Sequence, residues 1–151
     1  MFYYVIAILI IGADQLSKWF IVNYLDLYES IPIIEGWIHI TSTRNKGAAF
    51  SILQNQRLFF IVLTLFVVIF IIYYIYKIHK EHRFFSLTLA LILGGAIGNL
   101  IDRIATGEVI DFIDFKIINF AIFNIADSAV VVGTILMLFY MVFAKENNIF
   151  K

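Results

Sequence analysis

Four long apolar stretches constrain how this chain of 151 residues can fold more than any other feature. A helix needs about 20 apolar residues to span the hydrocarbon core of a bilayer. Three uncharged stretches come close to this length, at residues 58–76, 84–101 and 128–144. Hydrophobic residues make up 62% of the chain and charged residues 15%, and the mean hydropathy of +0.94 lies far above that of soluble domains. The sequence therefore predicts an integral membrane protein.

The fourth apolar stretch lies at the N-terminus and is interrupted by Asp14 and Lys18. It has no basic start and no A-x-A cleavage site, so we expect a retained helix and not a signal peptide. Asp14 and Lys18 stand four residues apart with the acid first. This spacing places them on one helix face as an ion pair directed into the bundle. With their polar flanks, the predicted spans are residues 2–24, 58–76, 84–104 and 126–144.

A polar segment, residues 26–57, separates the first two spans. Residues 36–43 within it are rich in β-branched and aromatic side chains, which predicts a small sheet outside the membrane and then a short interfacial helix. No repeat or shift in composition marks a second domain, so we expect a single domain over residues 1–151. The predicted fold class is membrane all-α: a four-transmembrane-helix bundle with a small extramembrane β-sheet and an interfacial helix on the outer face.

Basic residues suggest an orientation. The short loop between the second and third spans carries Lys77, Lys80 and Arg83. Lys145 and Lys151 follow the last span. This distribution favours the cytoplasmic side for the loop and for both termini.

In that orientation, the unusual polar residues share the outer half of the membrane. They are Asp14, Arg44, Asn45, Asn99, Asp102, Arg103, Asp111, Asp114, Asn124 and Asp127. Scattered structural residues would have no reason to share one depth, whereas a site at the outer bilayer boundary would require it.

Three of these residues, Asp111, Asp114 and Asp127, stand among isoleucines and phenylalanines. Burying an unpaired carboxylate costs several kcal/mol. Asp111 and Asp127 lie on opposite sides of a turn joining two helix ends, so they could meet and share a proton as an aspartic protease pair does. Alternatively, Asp127 caps the fourth helix while Asp111 and Asp114 are solvated loop residues. Their spacing alone leaves both interpretations open.

Other chemistries fit the residue types less well. The net charge of zero gives no reason to expect nucleic acid, and the absence of cysteine excludes disulfides, thiolate metal sites and a cysteine nucleophile. There is no H-E-x-x-H motif, His79 and His82 fall in a basic loop, and His39 stands alone. Ser17 adjoins Lys18, so the two side chains point in different directions and a serine/lysine dyad is disfavoured. An aspartate metal site would lack histidines, so we expect no metal and no cofactor.

Two further features bear on packing and on function. Gly94 and Gly98 have the G-x-x-x-G spacing that lets a neighbouring helix approach closely. Asp102 and Arg103 are expected to form a network at the outer helix ends, although Arg103 could instead bind a substrate carbonyl or a lipid phosphate.

A proton- or ion-conducting bundle and a structural subunit are the non-enzymatic alternatives. A conducting relay should cross the membrane, whereas these polar residues stay in one half.

Five motifs in one order carry a resemblance. They are "DQLSK" at 14–18, "TRNKGAAFSIL" at 43–53, "GGAIGNLIDRI" at 94–104, "GEVIDFIDF" at 107–115 and "FNIADS" at 123–128. Together they strongly resemble the lipoprotein signal peptidase family, also called signal peptidase II, over nearly the whole chain. The resemblance implies an aspartic endopeptidase that removes the signal peptide from prolipoproteins by cutting before the diacylglyceryl-modified cysteine.

The resemblance also implies roles for individual residues. It assigns catalysis to Asp111 and Asp127 and makes Asp102 a supporting residue. The other positions it marks as substrate-binding or supporting are Asp14, Lys18, Asn45, Gly47, Asn99, Arg103, Asn124 and Ala126. It implies a monomer of the bacterial cytoplasmic (inner) membrane, with membrane lipid and lipid-modified prolipoproteins as partners and the active site toward the outer face.

Overall fold

The structure is a computed structural model that describes residues 1–47, 52–118 and 120–146. Its helices are α1 (Phe2–Tyr24), α2 (Arg57–Ile78), α3 (Arg83–Ala105) and α4 (Ile125–Glu146). Its strands are β1 (Ser30–Ile34), β2 (Ile38–Asn45) and β3 (Val109–Phe115), and a 3-10 helix, Lys116–Ile118, follows β3. All four helices are long and apolar enough to cross a membrane. The predicted fold class, a membrane helical bundle with a small sheet, is confirmed, and each predicted span differs from its helix by at most two residues at either end.

Helix α3 is the centre of the bundle and packs against α1, α2 and α4. Half of its most apolar stretch, 50%, is buried inside the protein, against 17% for α2. The buried residues of α2 are Val68, Ile71, Ile75 and Ile78, at spacings of three and four that define one helix face. Its remaining surface is apolar and exposed, with a mean hydropathy of 3.0 for its most apolar stretch, as a lipid-facing helix requires.

Small residues on α3 allow its neighbours to approach closely. A Cβ atom added at Gly94 would lie 2.8 Å from the Cβ of Ile10, and one at Gly98 would lie 2.6 Å from Oδ2 of Asp14. The G-x-x-x-G spacing therefore does mark a close helix contact, and the partner is α1. Gly95 allows the same close approach of α4 to α3, because a Cβ there would collide with the carbonyl oxygen of Ala126.

The three strands form one antiparallel sheet in the order β1-β2-β3. The prediction of a strand near residues 36–43 is confirmed by β2. The interpretation of Asp111 and Asp114 as loop residues was wrong, because both belong to β3. Their carboxylates have hydrogen-bond partners inside the protein, so the alternating isoleucines and phenylalanines around them can pair as a strand. The interfacial helix was predicted to follow the sheet, and residues 48–51 of that stretch lie outside the described residues.

Glycine substitutions test the close contact between α1 and α3. Gly98→Ala should lower the melting temperature Tm in detergent, because the new methyl group would press on Asp14 and on the Cβ of Ala126, 3.2 Å away. Overpacking of this kind typically costs about 1–3 kcal/mol. Gly12→Ala is the matched control, since a Cβ there meets no atom within 4 Å and alanine favours the helix. Equal Tm values for the two variants would contradict the tight crossing.

Candidate active site

A buried lysine joins α1 to α3. The Nζ atom of Lys18 lies 2.8 Å from Oδ2 of Asp14 and 2.8 Å from Oδ2 of Asp102. Asp14 and Lys18 are 0% and 1% exposed, and Asp102 is 5% exposed. The predicted ion pair of Asp14 with Lys18 is confirmed, but the cluster has one ammonium group for two carboxylates. It therefore needs further donors to satisfy the carboxylate oxygens.

Those donors come from the neighbouring backbone and from a glutamine that the sequence analysis missed. Gln15 donates from Nε2 to Oδ1 of Asp102 at 2.9 Å and to the carbonyl oxygen of Gly98 at 3.1 Å. The amide of Ile110 donates to Oδ2 of Asp102 at 3.3 Å, which ties β3 to α3. The position of Gln15, inside an otherwise apolar span beside Asp14, was the only signal for its role.

The predicted network between Asp102 and Arg103 was wrong, because Asp102 pairs with Lys18 while Arg103 reaches the polar segment of residues 26–57. Arg103 donates from Nη2 to the carbonyl oxygen of Gly47 at 3.1 Å, and its guanidinium lies 4.8 Å from the centroid of the Phe60 ring. Adjacent residues on a helix point about 100° apart, so Asp102 and Arg103 serve different sides of α3. Arg103 thereby fastens the turn after β2 to the bundle.

The start of α4 is held by a reciprocal cap. Oδ1 of Asn124 accepts from the amide of Asp127 at 2.9 Å, and Oδ2 of Asp127 accepts from the amide of Asn124 at 3.3 Å. This is a capping box, with Asn124 at the N-cap and Asp127 three residues on. Oδ1 of Asp14 accepts from the amide of Ala126 at 2.9 Å, so a carboxylate of α1 satisfies another free amide of this helix end.

The capping asparagine also contacts Asp111. Its Nδ2 donates to Oδ1 of Asp111 at 2.7 Å, while Nδ2 of Asn45 donates to Oδ2 of Asp111 at 3.1 Å. One residue, Asn124, is therefore bonded to both Asp111 and Asp127. Asp111 is 3% exposed, whereas Asp127 is only partly buried.

Burial raises the pKa of Asp111 to about 7, and the nearby charge of Asp127 contributes in the same direction. The hydrogen bonds from Asn45 and Asn124 oppose this rise without cancelling it. A carboxyl group with such a pKa exchanges its proton near neutral pH, which is a property expected of a general acid or base.

Three asparagines turn their amide groups toward the two carboxylates. The oxygen of Asn45 accepts from the amide of Gly47 at 2.9 Å, so its NH₂ faces Asp111. The oxygen of Asn99 accepts from Lys18 at 3.0 Å, so its NH₂ faces Oδ1 of Asp127 at 2.7 Å. The oxygen of Asn124 is held by the helix amide described above. In each case a fixed donor on the oxygen side determines which way the amide points.

Asp114 lies on the other face of β3 from Asp111, because the side chains of a strand alternate between faces. It is 4% exposed, so the alternative of a solvated loop residue is wrong for this position as well. Its Oδ2 accepts from Oγ1 of Thr41 at 2.8 Å and pairs with Nζ of Lys116 at 2.6 Å. Asp114 therefore belongs to the face of the sheet opposite Asp111 and not to the cluster around Asp127.

The alternative chemistries find no support among the described residues. Oγ of Ser17 donates to the carbonyl oxygen of Asp14 at 2.7 Å, which engages it away from Lys18. Nδ1 of His79 lies 2.9 Å from the carbonyl oxygen of Tyr76, and Nδ1 of His39 lies 3.2 Å from Oγ of Ser30. In the part of the chain that the structure describes, no three histidine or carboxylate side chains are grouped so that they could hold a metal ion.

Comparison with known proteins decides the family. Residues 6–143 match the family described as Signal peptidase (SPase) II. The chain belongs to the signal peptidase II family. It is 50% identical over 149 residues to the lipoprotein signal peptidase of Brevibacillus brevis, covering 98% of this chain and 100% of that one. It is also 50% identical over 144 residues to the lipoprotein signal peptidase of Halalkalibacterium halodurans, covering 94% and 92%.

Solved structures agree. A bacterial membrane enzyme determined by the in meso method at 2.3 Å resolution is 37% identical and superposes with a TM-score of 0.91, over 96% of this chain and 90% of that one. A second, at 1.9 Å resolution, is 38% identical with a TM-score of 0.84, over 92% and 91%. The chain is thus a multi-pass membrane aspartic peptidase that removes signal peptides from prolipoproteins. The family therefore favours the enzyme over the two non-enzymatic alternatives, a conducting bundle and a structural subunit.

The raised pKa of Asp111 predicts a pH-dependent penalty on folding. A carboxyl group whose pKa is about 7 in the folded protein and about 4 when unfolded favours the folded state below pH 4 and loses that contribution as pH rises to 7. Asp111→Asn cannot ionise, so its Tm relative to wild type should rise between pH 4 and pH 7. The difference corresponds to at most about 4 kcal/mol. Thermal melts in detergent across this range measure it, and a Tm difference independent of pH would contradict it.

Proposed function

We propose that Asp111 and Asp127 are the catalytic pair of this peptidase. The observation that carries the proposal is that Asn124 bonds to both carboxylates, which brings β3 and the start of α4 together at one site. Asp127 is the more open of the two, while Asp111 is buried with an amide donor on each oxygen. Such an arrangement favours one ionised and one protonated carboxyl group, as two coupled acids require.

The chemistry needs no covalent intermediate. Asp127, ionised, accepts a proton from a water molecule as the water oxygen attacks the scissile carbonyl carbon. Asp111 carries the other proton, consistent with its pKa of about 7, and donates it to the carbonyl oxygen. The tetrahedral intermediate then collapses as the C–N bond breaks: the leaving amine takes up the proton from Asp127, and one hydroxyl of the intermediate returns its proton to Asp111 as the new carboxyl group forms. The pair ends with one proton between its two members, as it began.

We propose that cleavage takes place before a diacylglyceryl-modified cysteine. The candidate pair lies where the C-terminal end of α3 and the N-terminal end of α4 meet the sheet, so a substrate whose acyl chains and signal helix stay in lipid would present its scissile bond at this depth. Asn45 and Arg103 line the junction between the bundle and the turn after β2. They are our candidates for contacting substrate backbone or lipid polar atoms.

We also propose that the chain acts as a single domain and as a monomer in the bacterial cytoplasmic membrane, with both termini cytoplasmic and the active site on the outer face. The short basic loop between α2 and α3 supports this orientation. The candidate residues come from α1, α3, α4, β2 and β3 of one chain, which supports a monomeric site. Asp14, Lys18, Asn99, Asp102 and Ala126 then serve as supporting residues.

Replacing each aspartate by asparagine separates chemistry from helix capping. Asparagine keeps the shape and an acceptor oxygen but cannot titrate, and it caps about as well as aspartate. Asp111→Asn and Asp127→Asn should fold but lose essentially all cleavage of a diacylglyceryl-modified prolipoprotein by purified enzyme. The double variant should be little worse than either single one, because the two residues act as one unit.

Asp114→Asn is the matched control on the same strand, since its partners lie on the opposite face. It should retain substantial activity at a comparable Tm. Near-normal turnover by either Asp111→Asn or Asp127→Asn would refute the proposed pair. The same assay on an unmodified prolipoprotein tests the lipid requirement, and equal cleavage of both substrates would contradict it.

Cysteine labelling tests the orientation, and the chain has no native cysteine to remove. Glu35→Cys lies in the exposed turn between β1 and β2, and Lys80→Cys lies in the exposed loop between α2 and α3. A membrane-impermeant maleimide applied to intact spheroplasts should label residue 35 and spare residue 80 until the membrane is opened. The reverse pattern would invert the topology and place the site on the cytoplasmic side.

A further inference from the structure

One side chain, Asn99, connects the buried ion cluster to the proposed catalytic pair. Its Oδ1 accepts from Nζ of Lys18 at 3.0 Å and from Nδ2 of Asn124 at 3.1 Å. Its Nδ2 donates to Oδ1 of Asp127 at 2.7 Å. The catalytic assignment needs none of these bonds, since it places no chemical step on α1.

We propose that Lys18 is a positioning residue for catalysis, which acts by fixing the amide orientation of Asn99 so that its NH₂ group holds Asp127. This inference rests on the proposed catalytic role of Asp127 and adds a residue of α1 that controls it from a distance. Lys18 does not reach the reacting atoms itself. The positioning effect passes through one amide group, and it is separate from the direct charge effect by which Lys18 lowers the pKa of Asp111.

The charges on the two sides of Asn99 favour a single orientation of its amide. In the observed orientation the carbonyl oxygen faces an ammonium group and the NH₂ faces a carboxylate. Rotation of the amide by 180° would put the NH₂ against Lys18 and the oxygen against Asp127, so both contacts would become repulsive. Hydrogen bonds to charged groups are also stronger than neutral ones, and an amide polarised by Lys18 is a better donor to Asp127.

The amide orientation of Asn99 also affects Asp111, through the hydrogen bond that Asn99 accepts from Asn124. Nδ2 of Asn124 bonds to Oδ1 of both Asn99 and Asp111, so a rotated Asn99 would also confront the NH₂ of Asn124. The amide orientation of Asn99 therefore bears on both members of the pair. Lys18 is the one cation among the described residues that donates a hydrogen bond to this oxygen.

A double-mutant cycle distinguishes positioning from a general structural role. Lys18→Met should lower kcat by about tenfold to a hundredfold and leave KM little changed. This loss is smaller than that expected from removing a general acid or base, because Asp127 is misplaced and not absent. In an Asn99→Ala background the same Lys18→Met change should lower kcat by less than about threefold, because the amide through which Lys18 acts is gone. Equal fold losses in both backgrounds would overturn the proposal.

Two further variants separate a loss of stability from a loss of positioning. Leu93→Ala is the matched control, because Leu93 is a core residue of α3 that is 2% exposed and has no part in the polar cluster. Leu93→Ala should lower Tm while leaving kcat within about threefold of wild type. Lys18→Met should lower kcat by more than Leu93→Ala does, even if it lowers Tm by less, because its effect on kcat does not come from lost stability. If Lys18→Met does not fold, Lys18→Met with Asp14→Asn and Asp102→Asn removes the uncompensated carboxylates, and the cycle is run on that triple variant.

The outcomes separate this inference from the catalytic assignment. Loss of activity in Asp127→Asn together with a non-additive cycle supports both. Loss of activity in Asp127→Asn with additive Lys18 and Asn99 effects retains the catalytic pair and rejects positioning by Lys18. Normal activity in Asp127→Asn rejects the catalytic pair, and this inference with it.

Discussion

The rest of the site depends on the buried ion pairs that the ammonium group of Lys18 makes with Asp14 and Asp102. Two carboxylates on different helices, Asp14 and Asp102, are tolerable in an apolar bundle only because this cation stands between them. Removing one partner from a buried ion cluster typically costs about 3–5 kcal/mol, since the other charge is left uncompensated. Asp14 in turn satisfies the amide of Ala126 at the start of α4. One charge thus sets the relative positions of α1, α3 and α4.

Packing and electrostatics meet at the same crossing. Gly98 has no room for a side chain because Oδ2 of Asp14 and the methyl group of Ala126 occupy that space. The small residues of α3 therefore do more than bring helices together, since they admit a charged side chain to the helix interface. At the proposed catalytic pair, the side-chain hydrogen bonds to Asp111 and Asp127 come from neutral amides, those of Asn45, Asn99 and Asn124. Amide donors stabilise a carboxylate without removing its ability to titrate, which suits a pair that must exchange protons.

The sequence predicted the spans, the small sheet and the ion pair of Asp14 with Lys18, because these follow from hydrophobicity, strand composition and helical spacing. It missed β3, since two aspartates in seven residues are typical of a loop unless other parts of the chain supply their partners. It also assigned Asp102 to Arg103, which is adjacent in sequence, when the true partner Lys18 lies on another helix. Contacts between elements far apart in the chain set these positions, and no local pattern encodes them. The roles of Gln15 and Phe60 depend on such contacts too.

Helix capping and catalysis first stood as rival explanations of Asp127, and the geometry makes them compatible. The capping box fixes the backbone and the side-chain rotamer of Asp127 through Asn124, and Asn99 fixes the second carboxylate oxygen. A general base must be held within a fraction of an ångström of its working position, and a helix end offers a more rigid support than a loop. The cap is therefore a means of positioning in the proposed mechanism. Because Asn124 caps the helix and also bonds to Asp111, the fold of this turn and the spacing of the proposed pair cannot vary independently.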